Sequence, residues 1–490
     1  MSARAIAVIG AGFSGTLLTL HLLRRTSPAT RIVLFERNSQ FARGQAYSTS
    51  NPSHLLNVPA GRMSAFGDRP LDFLRWLRER PDVKNCPPPT SSCFVSRKLY
   101  GSYIRHLLNE ELKDGKDRLQ LVRGDVVGLD VAEHGVTVRL DRDREIGTDL
   151  AVLAVGNFPP ESPRVDDPSF YASPHYCADP WSPAVLEGLD PDVPVLLIGT
   201  GLTMVDVAVA LLDHGHRGVI HAISRRGLAS RSHASTLAPD EPLPSLPASL
   251  VPLLQLVRRH AARTMARGGT WQQAIDQLRP FTQELWETMS HDDRARFLRH
   301  LRPWWDVHRH RAAGPVAERI EAARASGQLR LAGGRIRNFR ERDGGVEVTW
   351  CRRHTAQLQT LYVARVVNCS GPQADYARIS DPLIRGLLAE GLVRPDPLRL
   401  GLDVTRNGAA RDRSGAISSR VFAVGPVTKG AFWEITAVPD IRRQCEYQAA
   451  HLASLVRALS PAPPLAANGG DGQESRASRQ PGATLAFARH

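Results

Sequence analysis

The sequence predicts an α/β chain of two Rossmann-like dinucleotide-binding domains, the second carrying a mainly helical insertion. Three observations carry that expectation. A glycine-rich run at Gly10–Gly15 follows a short apolar stretch, a second such run stands at Gly199–Met204, and a Trp- and Arg-rich segment spans about 228–324. With 490 residues the chain has room for two or three domains of ordinary size. Its 42% hydrophobic and 23% charged residues are the balance of a soluble globular protein.

The first domain, expected over 1–158, opens on Ala5–Ile9, too short for a helix and apolar throughout, as a doubly buried strand is. It runs into Gly10-Ala11-Gly12-Phe13-Ser14-Gly15, then the helix-like stretch Thr16–Arg25. A second strand, Arg31–Phe35, ends at Glu36. In this pattern Gly10 makes the tight turn, Gly12 lets the backbone approach a pyrophosphate, and Gly15 lets helix and strand pack closely. The helix N-terminus favours phosphate charge, and Glu36 accepts from ribose hydroxyls. Read alone, Ile6–Leu23 resembles a signal peptide or a membrane span, but its three glycines have the dinucleotide spacing. No other stretch approaches the roughly 18 apolar residues a span requires. A soluble, cytoplasmic protein without a membrane partner is expected.

The second domain, expected over 190–360, repeats the pattern with changes. Val195–Ile198 leads into Gly199-Thr200-Gly201-Leu202-Thr203-Met204 and the helical stretch Val205–Leu212, with Met204 in place of the third glycine. The next strand, Gly218–Ile223, ends in Ser224-Arg225-Arg226, where the first domain has its acid. Arg225 and Arg226 suit the 2′-phosphate of NADP; the bland alternative is a solvated basic loop. Helical composition at Thr270–Asp276 and Asp292–Leu301 marks the insertion, about 228–324, and Pro239, Pro242, Pro244 and Pro247 form a loop before it.

Three further apolar runs stop at glycine with proline close behind, as when a sheet ends against a ligand. Leu150–Val155 leads to Gly156, Ala364–Asn368 to Gly371, and Val421–Val424 to Gly425. The last two place the returning part of the first domain at 361–458. Residues 460–490, rich in Pro, Ala, Gly and Ser without periodicity, read as a disordered tail.

A net charge of +14 invites a nucleic-acid reading, but the arginines are scattered and no zinc-finger or RNP-type motif appears. No nucleic-acid partner is expected. The six cysteines include no C-x-x-C pair; Cys86 and Cys93 sit in a Pro/Ser-rich loop and Cys369 has no neighbour, so a dithiol mechanism has little support. The densest local chemistry is Trp304–Arg311. On a helix Trp304, His308 and Arg311 share one face and Trp305 and Arg309 another, able to stack a planar ring and clamp an anion. The alternative is a Trp-anchored packing helix. His308 and His310, two apart, point to different faces, and no metal is expected.

These segments, with Gly44-Gln45-Ala46-Tyr47, Leu55–Ala60, Arg97–Gly101 and Gly425–Arg442, resemble the flavin-dependent monooxygenase-like family that includes bacterial FAD-dependent urate hydroxylase and aspartate N-monooxygenase. The resemblance runs from about residue 5 to 455. It implies bound FAD, NADH or NADPH as electron donor, and oxygen insertion through a flavin hydroperoxide. It points first to urate, hydroxylated to 5-hydroxyisourate with O₂, in purine degradation. N-hydroxylation of an amino acid such as aspartate is the alternative, and a non-catalytic flavin-binding redox sensor the reading of another class. Asn57 lies in the stretch resembling the flavin-proximal loop and is either a flavin contact or a turn residue. Arg309 and Arg311 are the candidate anion clamp, and Arg97 either binds an anion or is solvated. Where related flavoproteins carry Asp after the late glycine, this chain has Pro426, so the N–H groups of Gly430–Thr436 are expected to face the flavin instead.

Overall fold

The computed structural model describes residues 4–80, 89–114, 117–233 and 243–459. Two sheets organise it. The first orders its strands Ala409–Arg411, Ile417–Ala423, Leu150–Leu153, Ala5–Ile9, Arg31–Glu36 and Leu119–Arg123. All neighbours are parallel except the first pair, an antiparallel edge. Ala5–Ile9 sits inside and is buried along its whole length, which its unbroken apolar run demands. Helix Phe13–Arg25 and the long final helix Val438–Leu459 cover one face, joined where Cys445 Sγ meets Ser14 O at 3.5 Å. A three-stranded sheet over 126–148 and helix Pro382–Glu390 cover the other.

The second sheet orders Leu358–Val363, Gly345–Arg352, Leu329–Arg342, Ile220–Ser224, Val195–Ile198, Arg365–Asn368 and Tyr176–Cys177. Two expected boundaries move. Arg365–Asn368, assigned above to the returning part of the first domain, pairs in parallel with Val195–Ile198. Tyr176–Cys177 joins beside it, ahead of the expected start at 190. The chain therefore re-enters the first sheet only at Ala409.

The insertion is helical as expected. Thr270 opens Trp271–Leu278 with a capping box to Gln273. The expected helix Asp292–Leu301 is instead His291–Arg296 followed by a π turn, Phe297–Leu301. Pro303 explains the break: it has no N–H, and its ring crowds the carbonyl four residues back. Helix Arg302–Arg309 then ends, with His310 as its cap. Arg311 is outside it. The proposed face of Trp304, His308 and Arg311 therefore does not form. Pro239, Pro242, Cys86 and the 460–490 tail lie outside the described residues.

Candidate functional site

The first glycine turn is dictated partly by backbone and partly by space. Gly10 has φ +104°, its N–H donates to Phe35 O at 3.0 Å, and a Cβ there would meet Ala154 O at 2.5 Å. A Cβ on Gly15 would run into the Gly10 carbonyl. Gly12 differs. The nearest atom to a Cβ at Gly12 is Gly44 Cα at 3.6 Å, ordinary contact, so the chain alone would accept a side chain there. That open cradle fits a pyrophosphate. Helix Phe13–Arg25 begins beside it with no side-chain cap and no acid in its first turn, leaving its N–H groups and positive dipole end for an anion.

Glu36 ends the neighbouring strand with one carboxylate oxygen on the glycine loop and the other on its own following turn. Oε2 accepts the Ala11 N–H and Oε1 the Asn38 N–H, each at 3.0 Å. Each oxygen keeps a lone pair for a ribose hydroxyl. The returning strand completes the crevice: Gly425, at φ +80°, lies so near the first helix that a Cβ would overlap Ser14 Oγ. Its N–H donates to Gln444 Oε1 at 2.8 Å. The expectation for Gly430–Thr436 is corrected in part. The N–H groups of Ala431, Phe432, Ile435 and Thr436 already bond within the loop.

The second crevice has the same frame and the opposite charge. Gly199, at φ +117°, passes against the Cys369 carbonyl, and Gly201 is exposed with nothing within 4 Å of a Cβ. Met204, where the first domain needs Gly15, is fully buried in the local core. Arg225 and Arg226 follow strand Ile220–Ser224, whose Ile223 pairs with Ile198 beside the glycine turn. Arg225 is exposed, Arg226 donates to Arg299 O at 3.4 Å, and neither has a carboxylate partner among the described residues.

The candidate substrate residues do converge. His233 Nε2 donates to Asn57 O at 3.0 Å, and burial, with Arg311 nearby, holds the ring's pKa down to about 4, hence neutral. The Asn57 side chain makes no hydrogen bond with a described residue and is half-buried. Arg309 and Arg311, however, are not free cations. Arg309 Nε donates to Glu434 Oε2 at 2.8 Å, both buried, and Trp305 Nε1 donates to the other Glu434 oxygen. Arg311 pairs with Asp276. Each guanidinium still keeps one buried nitrogen without a hydrogen-bond partner among the described residues, Nη2 on Arg309 and Nε on Arg311. The pairs are neutral overall, so what those nitrogens lack is a hydrogen-bond acceptor and not a counter-charge.

Arg97 is neither solvated nor an anion site. It bonds Leu55 O at 3.1 Å and Asp206 at 2.8 Å, tying the Leu55–Ala60 loop to the second domain's helix. Burial pushes the Cys369 thiol well up, and Cys177 beside it is raised too, so neither is a ready thiolate. Among the described residues no group of three His, Cys, Asp or Glu could hold a metal ion, and no helix is long and apolar enough to cross a membrane. Sequence reasoning missed His233 and the partner roles of Asp206, Asp276 and Glu434; each acts across a long gap in the chain that no local pattern marks.

Residues 7–158 match the family described as FAD-NAD(P)-binding, so this part is an FAD-NAD(P)-binding domain. None of the curated proteins matches the chain by sequence. Among solved structures, ornithine hydroxylase from Pseudomonas aeruginosa is 14% identical with TM-score 0.63, covering 93% of this chain and 100% of that one. The ornithine N-hydroxylase of Kutzneria sp. 744, solved with reduced FAD, NADP⁺ and L-ornithine, is 15% identical with TM-score 0.62, covering 94% and 100%. Lactococcus lactis thioredoxin reductase is 12% identical with TM-score 0.52, covering 93% and 99%. At these identities the likeness establishes the fold.

Proposed function

We propose that this chain is an FAD-dependent, NADPH-using monooxygenase that hydroxylates the nitrogen of a primary amine. The observation that carries the reading is the opposite charge at two equivalent strand ends: Glu36 at the Gly10 turn, Arg225 and Arg226 at the Gly199 turn. An acid suits a ribose bearing free hydroxyls, and an unopposed arginine pair suits a 2′-phosphate. Bound FAD would supply hydride acceptance and O₂ activation. One oxygen atom of O₂ would enter an N–H bond and the other leave as water, NADPH and a solvent proton completing the balance. The chain's own residues orient and shield: neutral His233 fixes the Asn57 backbone, and Arg309 and Arg311 offer their unpartnered N–H groups to an acceptor.

Urate fits less well. The clamp inferred for its negative charge is already neutralised by Glu434 and Asp276. Full-length similarity to amine hydroxylases, at low identity, favours the amine. A dithiol route such as thioredoxin reductase implies has no low-pKa thiol pair to use among the described residues. The test is NADPH oxidation by the FAD-loaded chain against ornithine, lysine, aspartate, cadaverine and urate, with hydroxylamine and O₂ quantified. Stoichiometric hydroxylamine from an amine supports the reading. 5-Hydroxyisourate from urate, or dithiol-dependent turnover, overturns it.

A further inference from the structure

The helical insertion encloses a cavity of about 600 Å³, within the ~300–1,000 Å³ range of small-molecule pockets. Five of the chain's eight tryptophans line it: Trp271, Trp286, Trp304, Trp305 and Trp433. Three polar side chains other than tryptophan reach it, Arg258, Thr282 and His308. Thr282 Oγ1 is bonded to Arg279 O and His308 Nδ1 to Trp304 O, and Arg258 is exposed at the edge. Trp304 is 46% exposed, so the cavity opens to solvent there.

Its other walls join the candidate site. Trp433 sits in the return loop that leaves the first sheet at Gly425, and stacks on Trp286 with ring centroids 4.7 Å apart. Trp286 Nε1 donates to Gly430 O in the same loop at 2.8 Å. Trp305 donates to Glu434, the partner of Arg309. One loop thus carries both the glycine beside the first dinucleotide crevice and a wall of the cavity. The volume, the ring faces and the continuity with Glu434 describe the seat of a small molecule.

We infer that the insertion seats the apolar body of the substrate, an aromatic ring or a hydrocarbon of similar bulk carrying the amine. This rests on the amine reading above and narrows it. A free amino acid would bury its carboxylate among indoles, with exposed Arg258 the one lining Arg or Lys among the described residues. An aromatic body gains burial and ring–ring contact instead.

The experiment uses the full FAD-loaded chain, with 4-phenylbutylamine, cadaverine and ornithine as probes. Calorimetry measures binding, and NADPH oxidation with hydroxylamine analysis measures turnover. 4-Phenylbutylamine is expected to bind at least about tenfold tighter than cadaverine, with a negative heat-capacity change. Ile275→Trp, which fills the cavity from the Trp271–Leu278 helix, and Leu254→Glu, which puts a charge in its lining, should each weaken that binding at least about tenfold while FAD absorbance is retained. Using both guards against one variant failing to fold. Equal binding of the probes, or binding indifferent to both substitutions, overturns the inference. So does dimerisation that abolishes the heat, which would assign the cavity to a second copy. Tight, variant-sensitive binding without hydroxylation of any amine keeps the cavity assignment and removes the N-hydroxylation reading. Hydroxylated cadaverine with no phenylbutylamine binding does the reverse.

Discussion

The two glycine turns share a frame yet differ in how far they are closed. Helices begin at Phe13 and Leu202 in the same register, and Gly10 and Gly199 press against equivalent carbonyls, Ala154 and Cys369. Around the first turn the chain closes in: Gly44 approaches Gly12, and Gly425 lies against Ser14. Around the second, Gly201 is exposed with empty space about it. The enclosed crevice suits a cofactor that stays, and the open one a donor that exchanges each cycle. The charge at the strand ends follows the same division.

The widest gap should separate two neighbouring glycines. Gly15→Ala drives a Cβ into backbone and should cost about 1–3 kcal/mol or more of stability, read as lost soluble protein or a lower Tm. Gly12→Val should leave the fold intact and reduce FAD affinity by roughly a hundredfold, read as a colourless but cooperatively melting protein. If the Gly12 variant stays yellow, the enclosed crevice does not hold the pyrophosphate. Next comes donor choice. Replacing Arg225 and Arg226 together by Ala should raise the NADPH KM about 10–100-fold and leave NADH within about twofold, each charged hydrogen bond being worth about 1.5–3 kcal/mol. Equal effects on both donors would return the pair to the status of a solvated loop.

Glu36→Ala should weaken FAD by about tenfold, less than Gly12→Val, because its loss removes contacts without introducing an obstruction. Equilibrium dialysis of FAD from both variants ranks them. The smallest effect concerns pH. Burial, aided by Arg24, holds His21 down to about 4, below its ordinary 6.5. Between those values the unfolded chain binds more protons, so stability is complete above pH 6.5 and falls as pH drops toward 4. His233 and His310, also about 4, add to the slope. His21→Leu should make the urea-melt slope over this window shallower by about one proton's share. An unchanged slope would mean that His21 is not buried neutral.

Much of this was legible in the sequence because the constraints on dinucleotide turns are local. Gly10, Gly12, Gly15 and Glu36 fall within one strand–turn–helix–strand unit, and so do Gly199, Gly201, Arg225 and Arg226. The sequence misled where a partner lies far along the chain. Arg309 looked like a free cation because Glu434, which neutralises it, stands 125 positions away. Arg97 reads as either an anion site or a solvated side chain because Asp206, its partner, belongs to the other domain's helix. A short apolar strand such as Arg365–Asn368 reads alike in either sheet; its pairing with Val195–Ile198 decides. The cavity was invisible for the same reason, its five indoles being scattered from Trp271 to Trp433.

The re-entry of the chain into its first sheet at Ala409 also sets an order of events at the ribosome. The strand Ile417–Ala423 must find Leu150–Leu153 after the whole second sheet has been synthesised. Until then Leu150–Leu153 offers an open edge, and the face later covered by Val438–Leu459 is bare. Contacts of such long sequence separation form slowly and leave sticky surface exposed in the meantime. The second sheet, whose strands all precede residue 369, can close first. The nascent chain can thus form its second glycine crevice before its first, and a ribosome stalled short of Ala409 would release a polypeptide with one crevice formed and the other gaping.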